Sequence, residues 1–88
     1  MGRKSHYPQH RTEALRIIER SWATRVTAPT VRELAEEIGV GVATMHLYLG
    51  RMYEEGLIEW LPGSRRSKTL RVSSLGRQLL SSLAPSLP

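Results

Sequence analysis

The sequence predicts a mainly helical domain closed by one small β-hairpin, and three observations carry that expectation. Several segments repeat apolar residues at helical spacing. One of them is bracketed by a capping threonine and a terminal glycine, with another helical segment beginning a few residues later. Near the C-terminus, two strand-like runs flank a basic, turn-forming loop.

Residues 1–11 carry no periodicity and include Pro8, which predicts a flexible basic arm. Thr12 is the expected N-cap of a first helix ending near Trp22 or Ala23. Ala14, Leu15, Ile18 and Trp22 share one face of it, with Ile17 beside them, while Glu13, Arg16, Glu19 and Arg20 fall mostly opposite. Val26-Thr27-Ala28-Pro29 reads as an extended link or a very short edge strand, since proline cannot donate within a central strand. Thr30 and Glu33 have the spacing of a capping box, in which each side chain takes the other's free backbone N–H. Leu34, Ala35 and Ile38 form the buried stripe of this second helix, and Gly39 supplies the positive φ that ends it.

A third helix is expected over about 42–55, with Met45, Leu49 and Met52 facing the core, Tyr48 widening that stripe and Gly56 closing it. Leu57-Ile58-Glu59-Trp60-Leu61 and Thr69-Leu70-Arg71-Val72 read as paired strands. Between them lies Pro62-Gly63-Ser64-Arg65-Arg66-Ser67-Lys68. Ser73 or Ser74 caps a last helix over 75–83, before residues 84–88 fray. Two helices joined by a tight glycine-containing turn, then a hairpin with a basic loop, is the order of a winged helix-turn-helix. The expected domain spans residues 12–83: a three-helix core, a two- or three-stranded wing and an extra C-terminal helix.

The net charge of +5 is segregated. Arg3, Lys4 and Arg11 precede the first acid, and Arg65, Arg66, Lys68, Arg71 and Arg77 follow the last. The middle holds all eight glutamates against five arginines. Basic ends around an acidic middle are a footprint of polyanion binding. Enzymatic readings have little support: there is no cysteine and no aspartate, and His6, His10 and His46 lack ligand spacing with the glutamates. No glycine loop resembles a phosphate-binding loop. Neither a cofactor nor a metal is expected. Without an apolar run of about 20 residues or a signal-peptide core, no membrane partner is expected either. The expected location is the cytoplasm of a prokaryotic cell, at the nucleoid.

At residue level, Ala28-Pro29-Thr30-Val31-Arg32-Glu33-Leu34-Ala35 and Glu55-Gly56-Leu57-Ile58 resemble the N-terminal DNA-binding domain of LexA-type repressors, over roughly residues 12–72. Val72-Ser73-Ser74-Leu75-Gly76-Arg77-Gln78-Leu79-Leu80 is more similar to the segment after the wing in MarR- and PadR-type regulators, where the following helix contributes to dimers. LexA repressors also carry a self-cleaving protease domain with a Ser/Lys pair. These 88 residues hold no such domain, so self-cleavage is not expected of them. The 39–49 stretch is one residue shorter than in LexA, so operator sequence does not transfer.

The residues between the buried positions of the third helix are the expected DNA readers: Val42, Ala43, Thr44, His46, Leu47 and Arg51, with Gly50 on the same face. Thr44 and His46 can hydrogen-bond a base edge or a phosphate, Val42 and Leu47 can meet thymine methyls, and Arg51 suits a phosphate. The face lacks the Arg, Asn or Gln of bidentate base readout, so either DNA shape contributes or the helix faces a protein. Arg65, Arg66 and Lys68 form the wing's cationic group, and Thr30 with Arg32 can meet a phosphate at a helix N-terminus. With the arm, five to eight phosphates would give a log–log salt slope of roughly −5 to −7. Leu75, Leu79, Leu80 and Leu83 make an apolar stripe for a homodimer contact or for packing within the monomer. The leading expectation is a sequence-specific regulator of transcription, a repressor, on double-stranded DNA. A non-specific or architectural DNA binder and a protein-interaction winged helix stand as alternatives.

Overall fold

The computed structural model describes residues 6–60 and 70–83. Helices α1 (Tyr7–Thr24), α2 (Val31–Ile38) and α3 (Val42–Glu54) precede strands β1 (Ile58–Glu59) and β2 (Arg71–Val72), and α4 (Ser74–Leu83) closes the chain. The strands pair antiparallel, Ile58 opposite Val72 and Glu59 opposite Arg71. Period-two alternation puts Ile58 and Val72 into the core and leaves Glu59 and Arg71 outside. The wing is two-stranded among the described residues; Leu57, Trp60 and Leu70 of the expected runs flank the paired residues, while Leu61 and Thr69 lie outside the described residues.

The first helix opens at Tyr7, not at Thr12, and so takes in the last residues of the expected arm. Pro8 falls in the first turn, where a missing N–H costs nothing and the fixed φ suits the helix. Tyr7 lies seven and eight residues before Ala14 and Leu15, so its ring extends their buried stripe and is only 3% exposed. Thr12 is therefore interior, its hydroxyl donating to the Pro8 carbonyl at 3.1 Å. Between α1 and α2 the link is irregular, without a strand. Ser21, buried near the end of α1, donates to the Thr27 carbonyl at 2.6 Å and folds the link back, while Val26 takes a positive φ of 55°.

The capping box forms as expected: Thr30 Oγ1 accepts from the Glu33 N–H and Glu33 Oε1 accepts from the Thr30 N–H, both at 3.0 Å. Gly39 ends α2 at φ 89°, and Gly56 follows α3 at φ 79°. The core gathers Ala14, Leu15 and Ile18 of α1, Leu34 and Ala35 of α2, and Met45, Leu49 and Met52 of α3 around Leu57, Ile58, Leu70 and Val72. Ser73 caps α4, accepting from the Gly76 N–H at 3.1 Å. Gly76 permits the close approach of α4 to the sheet: a Cβ there would collide with the Leu57 carbonyl and stand 2.6 Å from Val72 Cγ1.

Candidate nucleic-acid interface

Burial divides α3 into two faces. Met45, Leu49 and Met52 are fully buried, which fixes the helix against α1, α2 and the sheet. Turned away from them, Leu47 is 74% and Val42 42% exposed, and Ala43, His46 and Arg51 are exposed as well. Thr44 and Gly50 are half-buried at the edges of that face. Among the described residues no side chain caps α3, and its first-turn N–H groups are open to an acceptor from outside. The face offers a large apolar surface, one imidazole and one guanidinium, a combination suited to shape and methyl contacts more than to bidentate base readout.

Thr30 and Arg32 fare differently from one another. Glu33 already occupies the Thr30 N–H, and the Arg25 guanidinium lies 3.3 Å from the same carboxylate oxygen. The Thr30 N–H and the Arg25 guanidinium hold the Glu33 carboxyl below its ordinary value of 4.5, so it stays charged at neutral pH. That negative charge opposes a phosphate at Thr30. Among the described residues Arg32 is exposed and unpaired, which leaves it available to a phosphate.

Arg51 is not a free side chain. Its guanidinium carbon lies 4.2 Å from the centroid of the Tyr7 ring and its Nε 3.6 Å from Glu55 Oε2. The Tyr7 hydroxyl donates to Glu55 Oε1 at 2.7 Å, and Arg11 reaches the same oxygen at 3.7 Å. Burial, then the hydrogen bond to the Glu55 carboxylate, pushes the Tyr7 hydroxyl far above its ordinary value and keeps it a donor. Beside this group, His10 Nδ1 lies 3.3 Å from the Tyr48 hydroxyl. The cluster is hidden in the sequence because the absence of a clear apolar repeat before Thr12 places Tyr7, His10 and Arg11 in the expected arm, whereas all three belong to α1. The signals available were the spacing of Tyr7 from Ala14 and Leu15, and Pro8 read as a helix start rather than a breaker.

The wing cations Arg65, Arg66 and Lys68 lie outside the described residues. The root of the wing does not: Trp22 Nε1 donates to the Leu70 carbonyl at 2.8 Å, and Arg71 stacks over the Trp22 ring at 4.3 Å. On α4, Leu79 and Leu80 are half-buried against the core of their own chain, and Leu75 is 50% exposed. The side chain of Leu83 lies outside the described residues. Among the described residues, no helix is long and apolar enough to cross a membrane.

A three-helix core, a helix-turn-helix with one face of its second helix open, and a two-stranded hairpin define a winged-helix DNA-binding domain. The model of the LexA DNA binding domain matches residues 8–67, from the first turn of α1 into the segment between β1 and β2, and the chain belongs to that family. No curated protein matches it. The family is defined by its binding of DNA rather than by a reaction, and DNA is the partner it assigns to the chain.

Proposed function

We propose that this protein is a sequence-specific transcription regulator, a repressor that acts by occupying promoter DNA as a homodimer. The exposed face of α3 carries the reading: an uncovered Leu47 and Val42 beside His46, on a helix whose other side is wholly committed to the core. In this reading α3 enters the major groove, with Val42, Ala43, Thr44, His46 and Leu47 over base edges and Arg51 and Arg32 toward phosphates. Arg65, Arg66 and Lys68 grip the backbone or minor groove from the wing. Two copies joined through α4 would place their α3 helices on paired half-sites, with the exposed Leu75 the more available contact than Leu79 and Leu80.

The test is selection from a random duplex library at about 150 mM salt, a concentration at which phosphate contacts alone hold weakly. Enrichment of a two-fold symmetric motif is the expected result. Retention without enrichment would replace it with non-specific binding, in which changing Arg65, Arg66 and Lys68 together to Ala removes nearly all affinity.

The apolar character of Leu47 and Val42 favours one second reading, a winged helix that captures a protein. There Leu47→Glu would abolish partner capture while DNA binding stayed weak throughout.

A further inference from the structure

Arg51 lies one helical turn beyond Leu47, on the flank of the open α3 face, and its side chain is 62% exposed although two groups fix it. A mobile arginine gives up rotamer freedom when it grips a phosphate, whereas one already held in place gives up less. Here the holding group is anchored in the core. Tyr7 is 3% exposed, so its ring is an immobile plate beneath the guanidinium. Its hydroxyl orients the Glu55 carboxylate, and Glu55 is itself fixed at the end of α3 by its N–H, which donates to the Arg51 carbonyl at 2.9 Å. The carboxylate faces the Nε edge of Arg51, and neither Nη hydrogen-bonds a protein group among the described residues. Arg11, 5.6 Å from the same ring and 3.7 Å from Glu55, adds a second cation, so two guanidiniums surround one carboxylate and the cluster keeps an excess positive charge.

We propose that Tyr7 and Glu55 preset Arg51 as a phosphate-gripping fork at the C-terminal end of α3, which makes Tyr7 a positioning residue for DNA binding from the first turn of α1. The proposal rests on the DNA-binding reading and adds the residue that makes Arg51 effective. A lysine does not replace such a fork, because an ammonium lacks the flat stacking surface and the paired donors.

A double-mutant cycle tests it, with Tyr7→Phe and Arg51→Ala singly and together, titrated into a duplex of fixed sequence across a salt series. Tyr7→Phe keeps the ring and removes the hydrogen bond to Glu55. Arg51→Ala is expected to weaken binding roughly three- to tenfold and to make the log–log salt slope shallower by about 0.9, one phosphate contact. Arg51→Lys should not recover the lost affinity. Tyr7→Phe should weaken binding roughly two- to fivefold in the wild-type background and leave the Arg51→Ala protein unchanged. Equal effects of Tyr7→Phe in both backgrounds would show that Tyr7 only supports the fold and would overturn the proposal, as would a salt slope unmoved by Arg51→Ala. A second readout needs no variant: the Arg51 side-chain Nε–H resonance should be rigid in the free protein, against a mobile Arg32, and should shift when duplex is added. A mobile or unshifted Arg51 in a protein that binds DNA defeats the fork alone; a wild-type chain that binds no duplex defeats the DNA reading with it.

Discussion

Trp22 and Leu70 meet across 48 positions of sequence, the indole N–H donating to the buried residue's carbonyl at 2.8 Å. The bond fastens the end of α1 to the start of the return strand, and Arg71 stacked on the same ring at 4.3 Å reinforces it. Trp22→Phe keeps an aromatic plate for Arg71 but leaves the carbonyl without its donor. The expected loss is about 1–3 kcal/mol, the cost of an unpaired buried polar group. Urea unfolding followed by circular dichroism would measure it, and an unchanged midpoint at constant slope would show that the bond contributes nothing.

Leu47 and Leu49 share one helix and differ completely in burial, 74% exposed against fully buried. Leu49→Ala should cost about 2–5 kcal/mol through lost transfer energy and the cavity left behind, a large share of the roughly 5–15 kcal/mol typical of a whole domain. Leu47→Ala should stay within about 0.5 kcal/mol while weakening binding to DNA. Thermal melts of both variants beside a DNA titration would separate the two roles. Similar melting temperatures for both variants would contradict the assignment of faces.

Val26 adopts φ 55° and is 74% exposed, so a β-branched side chain sits in the left-handed region with little burial to compensate. The left-handed conformation costs about 1–2 kcal/mol for an ordinary L residue. Val26→Asn should therefore raise stability by about 0.5–1 kcal/mol, since asparagine tolerates that conformation better. A melting temperature equal to or below that of the parent would count against the strain.

Glu33 supplies an acid-range prediction. Its carboxyl is held below the ordinary 4.5, first by the Thr30 N–H and then by Arg25, so the ionised form is favoured in the folded chain. A depressed carboxyl contributes stability that is present above the unfolded-state value and lost as the pH falls through the folded one. Wild-type stability should therefore be level near neutrality and decline below about pH 4.5. Glu33→Gln, which keeps an acceptor for the Thr30 N–H but cannot titrate, should show a shallower decline. Melting curves taken from pH 7 to pH 3 would reveal the difference, and parallel declines would remove Glu33 as a cause.

The order of elements was legible in the sequence because each depends on local chemistry. A Thr–x–x–Glu cap and a glycine that accepts positive φ bracket α2 within nine residues of one another. The stripe Met45, Leu49 and Met52 declares the buried face of α3, and by elimination the open one. The start of α1 was not legible, because proline suits both a loop and the first turn of a helix, and only packing places Tyr7 and His10 in the helix. Among the described residues, β-rich composition extends to Leu57, Trp60 and Leu70, beyond the two residues on each side that pair.

The sequence by itself determined the helix-turn-helix, its capping, the exposed α3 residues and the segregated positive charge. These follow from periodicities of a few residues and from side chains that satisfy neighbouring backbone groups. Only the tertiary structure decided what those residues do for one another. It brought Tyr7 beneath Arg51 and against Glu55, Trp22 to the Leu70 carbonyl, and Leu79 and Leu80 onto the chain's own core. Such pairings depend on where α1 and α4 pack, which no local pattern specifies: the same stripe of apolar residues can be buried against any complementary face, and the choice falls to the arrangement that fills the core as a whole.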